Sequence, residues 1–236
     1  MVQRVVVIGQ GYVGLPVAVR AVEVGFDVVG FELDAAKVGQ LAGGRSHVED
    51  VDDERLGRAL ATGRYRPSSD PTSISGFDIA VISVPTPMAD GAPDLSYIES
   101  ASRTLAPHIS TGSTVILEST TYPGTTEELS LPILEAGSGL IGGSDFYLGY
   151  SPERIDPGNP TYRLENTPKV VSGMNPTSLA KVQGFFDQLV ERTVAVSGTR
   201  EAELTKLLEN TFRHVNIALV NELAMFAKDL DIDVWE

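Results

Sequence analysis

The apolar positions of this chain alternate between two rhythms and end in a third. RVVVIG, residues 4–9, is a short β-branched run closed by glycine, the pattern of a strand buried on both faces. Residues 12–25 carry apolar residues at helical spacing and stop at Gly25, which suits a helix C-terminus. FDVVGFEL, residues 26–33, predicts a second strand, and DAAKVGQLAGG, residues 34–44, a second helix that starts near Asp34. Strand, helix, strand, helix in this order implies a parallel sheet with crossover helices. Residues 45–76 are polar and mixed, with a helix expected over 52–63.

The alternation then resumes. FDIAVISVPTP (77–87), STVILEST (113–120), DFYLGYSPE (145–153), PKVVSG (168–173) and RTVAVSG (192–198) read as strands or strand ends. Helices are expected over 96–109, over 124–137 with a disturbance at Pro132, and after Pro176. The third rhythm runs from Thr199 to about Leu230, without Pro or Gly and with apolar residues such as Leu204, Leu208, Phe212, Val215, Leu219 and Phe226. One helix of that length spans roughly 45 Å at about 1.5 Å per residue. It is either a packed terminal helix or a spine joining two domains or two subunits. The pattern as a whole predicts an α/β fold, a Rossmann-like doubly wound and mostly parallel sheet over residues 1–198, followed by a long α-helix over 199–236. Nothing after DIDVWE closes a further domain, so a chain cut short is expected.

Charge and composition narrow the chemistry. The net charge of −14 disfavours nucleic acid and anionic membrane as partners, because both need clustered Lys and Arg. The absence of cysteine excludes disulfides, thiolate metal sites and a thiol nucleophile within these residues. His47, His108 and His214 lie far apart without ligand spacing, so no metal site is expected. No run of about 18 apolar residues predicts a membrane helix, and a cytoplasmic protein is expected.

Gly9, Gly11 and Gly14 form G-x-G-x-x-G around Tyr12 and Val13, after a strand and at the start of a helix. In that context the glycines allow a tight turn, close approach to a pyrophosphate and close helix packing, and the helix N-terminus offers unpaired N–H groups to phosphate. Glu32 ends the second strand, where a carboxylate accepts both ribose hydroxyls and repels a 2′-phosphate, favouring NAD over NADP. Lys37 nearby would tolerate such a phosphate. The plainer alternatives are a turn without a ligand and a surface carboxylate.

Ligands of open α/β sheets bind beyond the carboxyl ends of the strands. Three such ends carry suggestive loops: Pro85-Thr86-Pro87, the hydroxyls of Thr120 and Thr121, and Glu153 in SPERIDPGN. Each has a bland alternative, respectively a strand terminator, a helix cap and a solvated turn. Lys206 and Asn210 are spaced i, i+4 and share a helix face. Together they can bind an oxygen that gains charge, or Lys206 can simply pair with Glu203 or Glu209.

GQGYVGLP, VPTP, ESTTYPGT, SPERIDPGN and ELTKLLENTFRHVNIALVNELA, in that order, make the whole chain resemble the nucleotide-sugar 6-dehydrogenases, the UDP-glucose and UDP-N-acetylhexosamine dehydrogenase family. SPERIDPGN and the long helix look most like the branch acting on UDP-N-acetylglucosamine or UDP-N-acetylmannosamine. The resemblance implies a two-step, NAD-dependent oxidation of the sugar C6 alcohol to a carboxylate. By position it puts Tyr12, Val13, Glu32, Lys37, Pro85, Thr86 and Thr120 on NAD. It puts Glu153, Arg154 and Ile155 in the substrate loop, with Glu153 active in acid/base steps. Lys206 and Asn210 would stabilise the C6 oxygen, and Thr120 would position water. It also implies a C-terminal UDP-sugar domain that is absent here, and the long helix itself suggests a homodimer formed through it.

Two departures stand out. Pro157 occupies a position where many glucose-specific members carry a second Glu, and the cysteine nucleophile of the family is missing. A β-hydroxyacid dehydrogenase, or a non-catalytic NAD-binding and dimerisation module, therefore stays open.

Overall fold

The structure, a computed structural model, describes residues 2–89, 91–154, 159 and 161–236. Its centre is a sheet of six parallel strands: β1 (Arg4–Ile8), β2 (Asp27–Phe31), β3 (Tyr65–Ser68), β4 (Ile79–Ile82), β7 (Thr114–Leu117) and β8 (Tyr147–Tyr150). Two smaller ladders complete the described strands, an antiparallel hairpin of β5 (Met88–Ala89) with β6 (Ala92–Pro93), and a parallel pair of β9 (Lys169–Val171) with β10 (Thr193–Ala195). The helices are α1 (Gly14–Glu23), α2 (Ala35–Ala42), α3 (Asp53–Ala61), α4 (Ser96–Leu105), α5 (Leu131–Ser138), α6 (Pro176–Leu189) and α7 (Thr199–Asp229).

Strand residues alternate in direction, so a strand covered on both faces feeds two cores. In β1, Val5 and Val7 enter one core with Phe185 and Phe186 of α6, whereas Val6 and Ile8 enter the other with Ile98 of α4 and Leu134 of α5. The order β3-β2-β1-β4-β7-β8 reverses direction between β1 and β4. The loops leaving these two strands therefore part to opposite faces and open a crevice at the carboxyl end of the sheet.

The polar stretch over 45–76 also contains a sheet strand. β3 is a four-residue edge strand with Tyr65 as its buried residue, and Pro67 is tolerated because an edge position leaves ladder bonds unneeded. The expected disturbance near Pro132 lies upstream of it: a π-helical segment covers Thr125–Ser130, and Pro132 stands in the first turn of α5, where its missing N–H is harmless. α7 is a single helix as expected, but it ends at Asp229 with Leu230 as its C-cap, short of the expected residue 236. Its first turn is buried through Thr199, Ala202 and Glu203, while Leu208, Phe212, Val215, Leu219, Leu223 and Phe226 are exposed. No helix is long and apolar enough to cross a membrane, among the described residues.

Candidate active site

The three glycines of the first turn serve two different purposes. Gly9 has φ +90°, and a Cβ there would lie 2.5 Å from the Ser83 carbonyl oxygen. At Gly14 a Cβ would lie 1.9 Å from the Gly9 carbonyl oxygen and 2.3 Å from Ser83 Oγ. These two positions let α1 and the loop after β4 close onto the turn. A Cβ on Gly11 would meet nothing within 4 Å. Its bare backbone faces the crevice, and no side chain caps the start of α1. The N-terminal N–H groups and positive dipole end of that helix are the natural partners of an anion.

Glu32 is held at the tip of β2. One carboxylate oxygen accepts from the Gln10 N–H at 3.2 Å, the other from the Asp34 N–H at 3.1 Å. Asp34 in turn caps α2 by accepting from the Ala36 and Lys37 N–H groups. Sequence reasoning passed over Gln10, yet it fastens the turn from below. Its buried amide donates to the Val7 carbonyl at 2.9 Å and accepts from the Tyr65 hydroxyl at 2.7 Å. A ring nitrogen of His47 lies 2.8 Å from the Gln10 carbonyl oxygen. Burial, with the Glu32 charge adding to it, pushes the Tyr65 phenol well above its ordinary value. Tyr65 therefore stays neutral and remains a hydrogen-bond donor.

A cavity of about 670 Å³ runs from this turn to the loops beyond β4, β7 and β8, a size suited to a cofactor or small ligand. Gly9, Gly11, Tyr12, Val13, Glu32 and Lys37 line one part of it. Pro85, Thr86, Thr120, Glu153 and Lys206 line another. Gly14 lies behind the wall as a packing residue. Asn210 is half-buried one turn beyond Lys206 and is not on the wall. Arg154 is drawn into an ion pair with Glu209, at 2.6 Å, and donates to the Pro168 carbonyl. Ile155 lies outside the described residues.

Lys206 departs from the surface pairing weighed for it. Glu209 is engaged by Arg154, and Glu203 turns inward to accept from the Gly124 N–H at 2.6 Å and from the Thr126 N–H and hydroxyl at 2.9 and 2.7 Å. Those three bonds fasten the first turn of α7 to the loop after β7 and thereby set Lys206 into the cavity wall. Burial lowers the Lys206 ammonium below its ordinary value, against the opposing pull of Glu153 and Glu209. An amine so tuned gives up a proton more readily at neutral pH.

Behind Glu153 stands a cluster that no spacing announced, although Glu118 opens ESTTYPGT. Glu118, at the tip of β7, is 1% exposed, and Lys169, at the start of β9, is 3% exposed. The Lys169 ammonium contacts Glu118 Oε1 and lies 3.0 Å from Glu153 Oε2. Burial pushes the Glu118 carboxyl up to about 7, with Lys169 opposing and Glu153 adding to the shift. Lys169 itself is raised, because the two carboxylates outweigh the lowering by burial. The available signal was a single acid or base at the end of an otherwise apolar strand, TVILE and KVV.

Residues 3–190 match the NAD binding domain of the UDP-glucose/GDP-mannose dehydrogenase family, and residues 200–236 match the central domain of that family. A UDP-N-acetyl-D-mannosamine dehydrogenase from Pyrococcus horikoshii is 36% identical over 99% of this chain and 56% of its own length. A UDP-N-acetyl-D-glucosamine 6-dehydrogenase from Salmonella typhi is 39% identical over 98% of this chain and 54% of its own. The solved structure of a UDP-D-ManNAc dehydrogenase from Pyrococcus horikoshii superposes with a TM-score of 0.94 at 36% identity, covering 99% of this chain and 56% of that one. The chain thus spans about half the length of the curated relatives it matches.

Proposed function

The chain belongs to the UDP-glucose/GDP-mannose dehydrogenase family, and we propose that the intact protein oxidises the C6 hydroxymethyl of a UDP-N-acetylhexosamine to a carboxylate with NAD. The observation that carries this reading is one cavity with the glycine turn and Glu32 in its wall as well as Thr120, Glu153 and Lys206. The residues present fit the dinucleotide. Gly11 leaves its backbone open for a phosphate, and Glu32 presents a carboxylate fixed by two backbone N–H groups. Gly9, Gly11, Tyr12 and Val13 would hold the phosphates, Glu32 and Lys37 the adenosine end, and Pro85, Thr86 and Thr120 the remainder. NAD, when bound, supplies the acceptor for the hydride that leaves C6.

The chain's own residues do the rest. The Lys206 ammonium stabilises the oxygen that gains charge as the alcohol is oxidised, and Asn210 supports the same end of α7. Glu153 takes a proton from an attacking water or hydroxyl. The Thr120 hydroxyl orients that water. These 236 residues include no cysteine, so they do not themselves carry a thioester step. The domain division at residue 198, a homodimer through the exposed apolar side of α7, and a cytoplasmic location, where nicotinamide dinucleotides are found, belong to the same proposal. Light scattering that found only monomer would remove the dimer.

Calorimetry tests the dinucleotide end. NAD should bind more tightly than NADP, and Glu32→Ala should weaken NAD by about ten- to a hundred-fold, the loss of hydrogen bonds to a charged acceptor. Equal affinity of wild type and variant would remove Glu32 from the site. Turnover of hydroxyacids but not UDP-sugars would favour a β-hydroxyacid dehydrogenase. A chain that binds no NAD at all would be a non-catalytic module.

A further inference from the structure

Gln10, between Gly9 and Gly11, is fully buried, and each of its polar groups is engaged. Its amide donates to the Val7 and Gly9 carbonyls at 2.9 and 3.2 Å and accepts from the Tyr65 hydroxyl at 2.7 Å. β2 makes the room: a Cβ on Gly30 would lie 2.5 Å from Gln10 Oε1 and 2.8 Å from the Tyr65 hydroxyl oxygen. The main chain of Gln10 is held in another way. To either side of it backbone bonds to backbone, from the Gly9 N–H to the Phe31 carbonyl at 2.9 Å and from the Leu15 N–H to the Gly11 carbonyl at 3.1 Å. At Gln10 itself both main-chain groups bond to side chains, the N–H to Glu32 at 3.2 Å and the carbonyl to His47 at 2.8 Å. That carbonyl can only accept, so His47 Nε2 carries the hydrogen.

We propose that His47 is a positioning residue of the dinucleotide site: its Nε2–H, donated to the Gln10 carbonyl, fixes the Gln10–Gly11 peptide and so directs the Gly11 N–H toward a dinucleotide phosphate. Across a trans peptide the C=O and the next N–H point to opposite sides, so holding the Gln10 carbonyl also sets the direction of the Gly11 N–H. Among the described residues nothing accepts from that N–H, which leaves it for an outside oxygen. Glycine at this position gives the backbone wide freedom, so the peptide needs an external tie. His47 is itself firmly placed. It lies between α2 and α3, where the Ser46 N–H donates to the Asp53 carboxylate at 2.7 Å and Val48 and Val51 are buried in the core. Its ring lines the cavity beside the turn. Nδ1 is buried and makes no hydrogen bond among the described residues, so the ring's polar contact is the one to Gln10. A ring needed for packing alone would fill this space without burying an unpaired nitrogen. The inference rests on the reading of the turn as a dinucleotide site, and His47 acts on that site through the Gln10 peptide.

Calorimetry with NAD on the 236-residue chain, below the melting temperature of every variant, tests it. His47→Phe keeps a ring and loses the donor, and its affinity for NAD should be about ten-fold lower, the loss of one hydrogen bond. His47→Gln carries an amide NH2 near the position of Nε2, and it should bind NAD within about three-fold of the wild type. A structural role alone would lower the melting temperature of His47→Phe and leave the NAD affinity of its folded chain unchanged.

NMR of the 15N-labelled chain gives a second measurement, without ligand. At neutral pH, long-range correlations between ring hydrogens and nitrogens should place a hydrogen on His47 Nε2 of the wild type. The Gly11 amide signal should move in His47→Phe and return toward the wild-type position in His47→Gln. Four results would each overturn the proposal: a hydrogen on Nδ1 alone, a Gly11 amide unmoved in His47→Phe, equal NAD affinity of wild type and His47→Phe, or a His47→Gln chain as weak as His47→Phe. The first of these needs no variant to fold. A wild type that bound no NAD would remove the dinucleotide reading itself, whereas NAD binding left intact by His47→Phe would remove only the role of His47.

Discussion

Gly14→Val should destabilise the chain by about 3 kcal/mol or more, whereas Gly11→Val, three residues away, should leave its stability within about 1 kcal/mol of wild type. The difference lies in what each new side chain would meet. At Gly14 a Cβ runs into the Gly9 carbonyl oxygen at 1.9 Å, a backbone atom that cannot turn aside. Relief requires α1 to lift from the turn, and α1 carries Leu15, Val17, Ala18 and Val19 into one of the two cores. For a chain of this size the cost corresponds to a fall of about 6–12 °C in Tm. At Gly11 the protein offers no obstacle within 4 Å. The isopropyl group would instead fill the space where a phosphate must approach the backbone. NAD affinity of Gly11→Val should drop by about a hundred-fold or more, a loss of roughly 3 kcal/mol. Thermal denaturation and calorimetry read the two effects separately. A Gly11→Val chain that binds NAD like the wild type would refute the phosphate-binding role of the turn.

The second large effect is expected at Glu203. Glu203→Ala strips the partner from the Gly124 N–H, the Thr126 N–H and the Thr126 hydroxyl, all inside the protein. Bonds to a charged acceptor contribute about 1.5–3 kcal/mol each, and buried donors left unpaired are costly, so a loss of about 3 kcal/mol or more is expected. The consequence for the site is directional. Lys206 is one turn further along α7, so freeing Glu203 should loosen Lys206 against Glu153 while leaving the glycine turn untouched. Amide hydrogen exchange reads this residue by residue. Gly124, Thr126 and the first turn of α7 should lose protection, while the amides of β1 and β2 keep theirs. Unchanged exchange at Gly124 and Thr126 would show that Glu203 does not hold the helix. Glu203→Gln should be milder, since its amide oxygen still accepts while its NH2 faces a donor.

Periodicity carried most of the architecture because burial on both faces leaves a readable trace. VVVI of β1 and IAVI of β4 read as buried strands, and the Gly- and Pro-free run after Gly198 reads as one helix. β3 escaped because an edge strand of four residues with a proline carries neither an apolar run nor an alternation. The turn around Gly9, Gly11 and Gly14 was legible as a motif, but the assignment of steric duty to Gly9 and Gly14 and of open backbone to Gly11 required the loop after β4 to be in place. Lys206 was ambiguous for a similar reason. Glu203 and Glu209 lie within one turn of it on the same helix, and only contacts from distant loops draw Glu203 to the Gly124 amide and Glu209 to Arg154.

The sequence by itself determined the parallel sheet, the dinucleotide-type turn with Glu32 at the next strand end, and the long closing helix. Each of these follows from local spacing, because burial and backbone geometry act between near neighbours in the chain. Tertiary structure alone decided which charges share a wall. Glu118 and Lys169 are 51 residues apart and Lys169 and Glu153 are 16 apart, and no spacing rule links them. What unites them is the meeting of strand ends and loops in a dry interior. There a charge must find its counterpart, and Lys169 meets both carboxylates.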